Sequence, residues 1–259
     1  MQPPLPPLSI FLITRDEADR LPATLAAVGG LGREIVVVDS GSTDATVAVA
    51  EAAGARVVVN APFPGYGPQK RLAEDACTQP WLLNIDADEV VTPALADEIR
   101  ALFTDAGPAA DGYEISIVET FPGEAEPGRW AYALAPVRLY RRDRGRYADS
   151  TVHDRVAFAD GARIERLAGR IHHRSIRSLG EQLAKLDRYS TMQAEDFLAR
   201  RRRLPTLRLY TEFPLAFLKA WIGRRLILRG TYGYMVAINY AIFRHTRVAK
   251  IYDSSMKPR

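Results

Sequence analysis

Two aspartates one residue apart, Asp86 and Asp88, close the apolar run Trp81-Leu82-Leu83-Asn84-Ile85. Carboxylates that close together repel and resist desolvation unless a cation neutralises them. Hard divalent ions such as Mg2+ or Mn2+ take oxygen ligands and share them with phosphate oxygens, so the pair suits a diphosphate. A bare Asp-x-Asp is equally the composition of a solvated turn, or of an acidic cap before Thr92-Pro93. Two more polar clusters follow apolar runs in the same way: Thr14-Arg15-Asp16-Glu17 and Asp39-Ser40-Gly41-Ser42-Thr43-Asp44. In the second, Gly41 permits close backbone approach, and the hydroxyls offer donors and acceptors to a nucleotide. Ser42 or Thr43 can also cap the next helix. Asp39 precedes that cap, where its carboxylate can accept hydrogen bonds from a base or ribose.

Alternating elements must position these clusters. The apolar runs 8–14, 35–39, 56–60 and 81–86 predict strands, and 19–28, 42–50, 68–77 and 93–103 predict the helices between them. Strands alternating with helices imply a parallel sheet covered on both faces, an α/β fold. Ligands of such sheets bind outside the carboxyl ends of the strands, so all three clusters should converge on one edge. Strands are expected at 113–121, 137–141, 150–158 and 164–173, then a long helix over 179–203 that Pro205 interrupts. The 259 residues fit one catalytic domain, 1–177, with a donor-binding half at 8–103 and an acceptor-side half at 104–177, followed by a helical extension at 178–259.

A composition of 47% hydrophobic and 25% charged residues is that of an ordinary folded protein. Cys77 is the single cysteine, which excludes an internal disulfide and a cysteine-based zinc site and points to a reducing compartment. No basic residue followed by a signal-length apolar run opens the chain, and 8–13 is too short to cross a bilayer, so the catalytic part is expected in the cytoplasm. Positive charge gathers at the end. Residues 197–259 hold 14 Lys or Arg against two acidic residues, Glu212 and Asp253. The run 200–203 is the usual composition of a solvated helix terminus. Beyond it, Phe213, Leu215, Phe217, Leu218, Trp221, Ile222, Leu226 and Ile227 alternate with Lys219, Arg224, Arg225 and Arg229. That mixture suits a helix lying in the interface of an anionic membrane, or a core-covering hairpin whose arginines face water.

The strand ending in Val38-Asp39-Ser40-Gly41-Ser42-Thr43-Asp44 and the run Trp81–Glu89, with Ile13-Thr14-Arg15-Asp16-Glu17 in the place of a first donor-binding loop, resemble family 2 glycosyltransferases. Within the family the chain is most similar to the lipopolysaccharide core-biosynthesis glucosyltransferase branch. The supporting motifs are Gly65-Tyr66-Gly67-Pro68-Gln69-Lys70, Arg138-Leu139-Tyr140-Arg141-Arg142, Val152-His153-Asp154 and residues 224–253. The resemblance implies a GT-A fold with a Rossmann-like central sheet, a UDP-sugar donor, and transfer with inversion. It implies that Asp39 contacts uracil, Thr14 and Glu17 the nucleoside, Asp86 the ribose or metal, and Asp88 the metal bridging the diphosphate. Arg15 and Ser40 belong to the same donor loops, and Lys70 helps neutralise the donor. Arg71 stands where the family's Asn is expected, and Asp154 where the branch carries Glu.

An inverting transfer needs a base near the acceptor hydroxyl. Asp154 is the candidate, with Glu89 and Glu119 in reserve; the alternative for Asp154 is an exposed carboxylate paired with Arg155. His153 and His173 are candidates to contact the diphosphate or metal. His172 and His173 are strand neighbours that point to opposite faces, so only one of them enters a site. The expected acceptor is a saccharide or lipid-linked saccharide, met by a peripheral protein on the cytoplasmic face of the inner membrane. Two other readings are a basic nucleic-acid-binding module, against which the acidic strand ends and absence of a binding motif argue, and a nucleotidyltransferase, for which an early Gly-rich triphosphate loop is missing.

Overall fold

The computed structural model describes residues 4–104, 106–150, 155–200 and 204–256. They fall into two compact units: Met1–Val118 with Ala133–His173, and Glu119–Tyr132 with Arg174–Arg259. Residues 119–132, expected in the acceptor-side half, group instead with the helical second unit.

The first unit begins with β1 (Leu8–Thr14), α1 (Leu21–Val28), β2 (Glu34–Asp39), α2 (Thr46–Ala52), β3 (Arg56–Val59), α3 (Tyr66–Ala76), β4 (Trp81–Asn84), β5 (Glu89–Val91) and α4 (Pro93–Leu102). It continues with β6 (Gly112–Glu119), β7 (Ala133–Leu134), β8 (Val137–Arg141), β9 (Gly145–Tyr147), β10 (Val156–Phe158) and β11 (Ile164–His173). The main sheet runs β3-β2-β1-β4-β8-β6-β11-β5, with β7 paired to β6. The first four strands are parallel, whereas β8 joins β4 and β6, and β5 joins β11, antiparallel. Only residues 85–88 separate β4 from β5, yet β5 lies at the far end of the path. A link that short reaches on the order of 14 Å, so the sheet curls back on itself.

Alternation along β1 builds two cores. Leu8, Ile10 and Leu12 pack with Leu21, Leu25 and Val28 of α1 and Leu95 and Ile99 of α4. Phe11 faces the other way, with Val36, Val38 and Leu82, onto Ala73, Cys77, Tyr140 and Tyr147. Both faces are therefore covered, which is why β1 is apolar throughout. Helix α3 carries Gly67 because a Cβ there would come within 2.3 Å of the Ala148 carbonyl oxygen, and the Gly67 N–H donates to the Ser150 carbonyl at 3.0 Å.

Several expectations are corrected. The strand expected over 81–86 stops at Asn84, and the unforeseen β5 starts at Glu89, so the Asp86–Asp88 segment is a turn between strands. Neither Ser42 nor Thr43 caps α2, whose N-cap is Ala45. The strand expected over 150–158 reduces to Val156–Phe158, and His153 and Asp154 lie outside the described residues.

The second unit contains α5 (Leu179–Ala199), α6 (Leu207–Leu218), a π turn (Lys219–Gly223), a 3-10 turn (Leu226–Arg229) and α7 (Gly230–Met256). Its core gathers Phe121, Ile176, Ala220, Leu226 and Ala237. The long helix expected to 203 ends at Ala199; residues 201–203 lie outside the described residues. Helix α6 is patterned inside out. Glu212 is buried and meets Arg208, Arg244 and Arg247, while Leu207, Tyr210, Leu215, Leu218 and Ile222 of α6 and the π turn are exposed. Among the described residues, no helix is long and apolar enough to cross a membrane.

Candidate active site

Three loops meet at the carboxyl ends of β1, β2 and β4. Thr14 and Asp39 are register partners, and the Thr14 hydroxyl donates to Asp39 at 3.0 Å. The Asp39 carboxylate also accepts from the N–H groups of Gly41 and Ser42 at 2.9 and 2.7 Å and from the Ser42 hydroxyl at 2.5 Å. Four donors thus hold this buried carboxylate, and it shapes the loop in which Gly41 adopts φ 85°. Ser42 and Thr43, rather than capping α2, tie this loop to the first one. The Asp16 N–H donates to the Ser42 hydroxyl at 2.9 Å and the Thr43 N–H to the Asp16 carboxylate at 2.8 Å. The Glu17 N–H reaches the Thr46 hydroxyl at 2.7 Å. Ser40 is buried and its hydroxyl accepts from the Gln69 amide at 3.0 Å. Arg15 stands exposed beside Asp16.

The third loop is fastened from below and beside. The buried Thr24 hydroxyl on α1 donates to the Ala87 carbonyl at 2.9 Å. Arg20 grips Glu17 through two hydrogen bonds of 2.7 and 2.6 Å and reaches Asp88 at 3.2 Å, joining the first loop to the third. On β11, His173 sits opposite Glu89 in register and brings its Nε2 to 3.4 Å from Asp88. The neighbouring His172 is buried and aligned with Val90.

Asp86 meets its charge partners inside the protein. Lys70 lies 3.1 Å away, and Arg138 donates to it at 2.9 Å. The Arg138 guanidinium also donates to Glu89 at 2.8 Å and to the side-chain amide oxygen Oδ1 of Asn84. That oxygen further accepts from Lys70 at 2.9 Å and from the Tyr147 hydroxyl at 2.7 Å. Burial would raise the Asp86 carboxyl, but the charges of Arg138 and Lys70 outweigh it and hold the group well below the usual carboxylate range. Asp88 is also lowered: burial opposes this, and the hydrogen bond and charge of His173 and the charge of Arg20 prevail. Burial pushes Glu89 up to about 7 despite Arg138, with the Asp86 charge adding to the rise.

Each sequence-selected residue on a described loop therefore falls at one sheet edge. Lys70 and Asp86 are in direct contact, as are Asp88 and His173; Arg138 links Asp86 to Glu89, and Arg20 links Asp88 to Glu17. Sequence reasoning missed Arg20, Asn84, Arg138 and Tyr147 as site residues. A signal existed for two of them. Asn84 interrupts the apolar run of β4, and Arg138 sits between apolar Val137 and Leu139 on β8. A polar group at a core position requires a partner.

The donor set bears on a divalent ion. Asp88 and His173 supply a carboxylate oxygen and an imidazole nitrogen, ligand types that suit Mn2+, and diphosphate oxygens can complete such a shell. Asp86 is engaged by Lys70 and Arg138, so the neutralising cations inferred for the pair are in part side chains. Among the described residues, no group of three or more His, Cys, Asp or Glu side chains is placed to hold a metal. The residues thus fit an ion carried jointly with a diphosphate rather than one caged by protein.

Comparison with known proteins gives a concordant result. The family model described as Glycosyl transferase family 2 matches residues 9–165. An uncharacterized glycosyltransferase of Rickettsia prowazekii is 36% identical over 258 residues, which is 96% of this chain and 88% of that protein. The lipopolysaccharide core biosynthesis glycosyltransferase LpsC of Rhizobium meliloti is 30% identical over 252 residues, 95% of this chain and 92% of LpsC. Among solved structures, S. aureus TarS 1-349 superposes with a TM-score of 0.49 at 12% identity, covering 97% of this chain and 93% of that one.

Proposed function

Because the chain belongs to glycosyl transferase family 2, we propose that it moves a hexose, glucose, from a UDP-sugar to a saccharide or lipid-linked saccharide acceptor, with inversion and with a divalent ion. The observation that carries this reading is the convergence of the Glu17, Asp39 and Asp86–Asp88 loops on one sheet edge, stitched by Arg20 and by the Asp16–Ser42 bond. Work on lipopolysaccharide core or another cell-surface glycan is supported by the similarity to LpsC over nearly the whole chain.

In this reading Thr14, Arg15, Glu17, Asp39 and Ser40 frame the nucleoside. Asp39 acts mainly by holding its loop, since Thr14, Gly41 and Ser42 already occupy its oxygens. A uracil contact by Asp39 therefore requires the Ser42 hydroxyl to give way. Lys70 and Arg138 fix Asp86 toward the ribose. Asp88 and His173 would hold Mg2+ or Mn2+, with His153 as a further contact to the diphosphate. When bound, such an ion would supply positive charge to the departing diphosphate. The acceptor hydroxyl oxygen forms a bond to the anomeric carbon as the bond from that carbon to the diphosphate oxygen breaks. Asp154 accepts the hydroxyl proton, and UDP leaves from the opposite face.

Residues 178–259 serve as a basic extension that holds the enzyme peripherally at the cytoplasmic face of the inner membrane. The exposed leucines and Ile222 around α6, with the positive charge of this segment, support that role. Hydrolysis of a panel of UDP- and GDP-sugars, with and without Mn2+, tests the whole reading. UDP-glucose with Mn2+ should give the fastest turnover. Preference for a GDP-sugar, or rates indifferent to EDTA, would overturn the nucleotide or the metal assignment respectively.

A further inference from the structure

Within the second unit, residues 119–132 carry two exposed aromatic rings, Trp130 and Tyr132. Both are flanked by guanidinium groups. Arg129 and Arg225 lie over Trp130 at 5.1 and 5.4 Å, and Arg224 lies between Tyr132 and Tyr240 at 5.0 and 4.4 Å. Among the described residues, none of these arginines forms an ion pair with a carboxylate.

Their neighbour Arg229 shows the ordinary arrangement by contrast. It is nearly buried, pairs with Glu124, and covers the Phe121 ring at 4.0 Å. Arg229 ties the segment down through Glu124 and the Glu119 carbonyl oxygen, whereas, among the described residues, Arg224 and Arg225 meet it only at ring faces. Arg225 moreover adopts the left-handed conformation, φ 57° and ψ 25°. That backbone is uncommon for a residue with a long side chain, and it is the kind of strain that persists where surrounding structure fixes a functional group. The π turn and the 3-10 turn on either side of Arg224 and Arg225 do this fixing.

Exposed aromatic faces pack on the apolar faces of sugar rings, and guanidinium forks bind carboxylate or phosphate in two-point fashion. Rings hold these guanidiniums in place, so little side-chain freedom is lost on binding. We infer that Trp130, Tyr132, Arg224 and Arg225 form a binding site for an anionic saccharide, one bearing a carboxylate or phosphate, and that it takes the acidic part of the acceptor. This inference rests on the glycosyltransfer reading and narrows its acceptor to an acidic sugar chain.

The test titrates the full chain with glucuronate, glucose 6-phosphate and glucose, reading tryptophan fluorescence and calorimetric heat, with UDP and Mn2+ titrated in parallel on the same wild-type sample. Glucuronate or glucose 6-phosphate should bind about tenfold or more tighter than glucose, in a salt-sensitive manner. Arg224→Gln with Arg225→Gln should remove that preference while thermal unfolding stays cooperative. Trp130→Ala, at an exposed position, should weaken calorimetric binding of the acidic and neutral sugars alike, and it keeps the test decisive if the arginine variant does not fold. Equal affinity for acidic and neutral sugars, or a preference untouched by these variants, overturns the assignment. So does arginine-dependent binding to phosphatidylglycerol vesicles without binding of soluble acidic sugars, which would make the cluster a headgroup site. A wild-type chain that binds UDP but no acidic sugar sinks only this inference; one that fails to bind UDP sinks the UDP-donor reading beneath it.

Discussion

Replacing Arg138 by Met isolates how the protein stabilises paired carboxylates. Arg138 is 6% exposed, and its guanidinium donates to Asp86, Glu89 and the Asn84 side chain. Methionine fills similar space, so the loss is one of charge and hydrogen bonds rather than volume. Asp86 keeps Lys70 at 3.1 Å and is a third exposed, which softens its share. Glu89 is 1% exposed and loses the guanidinium that pairs with it. Breaking a buried pair by removing one partner costs roughly 3–5 kcal/mol, and the residual Lys70 contact places this case near the lower end, about 3 kcal/mol. At roughly 2–4 °C per kcal/mol for a chain of this size, the melting temperature should fall by about 6–12 °C. Arg138→Lys should fall between, because an ammonium keeps the charge but cannot fork across three acceptors. Differential scanning calorimetry of the three proteins measures this. A shift below about 2 °C for Met would refute the claim that Arg138 holds the carboxylates together.

Other expectations follow from separate features. Asp154→Asn should abolish sugar transfer while leaving UDP affinity, by calorimetry, within about twofold; retained turnover would remove Asp154 as the base. Burial, aided by the charge of Glu34, pushes the Cys77 thiol up to about 12 from an ordinary 9.0, so the native thiol stays protonated. Its contribution to stability is complete below about pH 9 and is lost as pH rises from there toward 12, because only the unfolded chain releases the proton. A thiol reagent at pH 8 should therefore label the native protein only at the rate of unfolding, and rapid stoichiometric labelling would contradict the burial. Leu218→Asp combined with Ile222→Asp puts charge on the exposed side of the α6 segment and should cut binding to phosphatidylglycerol vesicles by about tenfold or more. Equal co-sedimentation of variant and wild type would refute the membrane role of that surface.

Strands such as β1 and β2 were legible because runs like Leu8–Ile13 and Ile35–Val38 are apolar and end at polar clusters. The convergence of Glu17, Asp39 and Asp88 was legible for the same reason, since a parallel sheet places strand ends together. What was not legible depended on contacts distant in the chain. Arg138 meets Asp86 only because β8 pairs antiparallel with β4. The sequence suggested that a bound ion must neutralise the aspartates, whereas Lys70, Arg138 and Arg20 already contribute. Ser42 and Thr43 resembled helix caps because local rules see only their own segment, and Asp16, which they actually engage, lies across the sheet edge. On α6, the buried glutamate reverses the usual pattern, and nothing in local spacing reveals that three arginines wait for it.

The four residues between β4 and β5 have a consequence for how this chain can diverge. Surface loops ordinarily absorb insertions, because extra residues loop into solvent at small entropic cost. Residues 85–88 are instead a clasp joining the middle of the curled sheet to its last strand. An added residue there would loosen the closure and move Glu89 out of step with His173, offering His172 in its place. The segment richest in chemistry is thus the one whose length is least free to drift, and insertions must enter the molecule elsewhere.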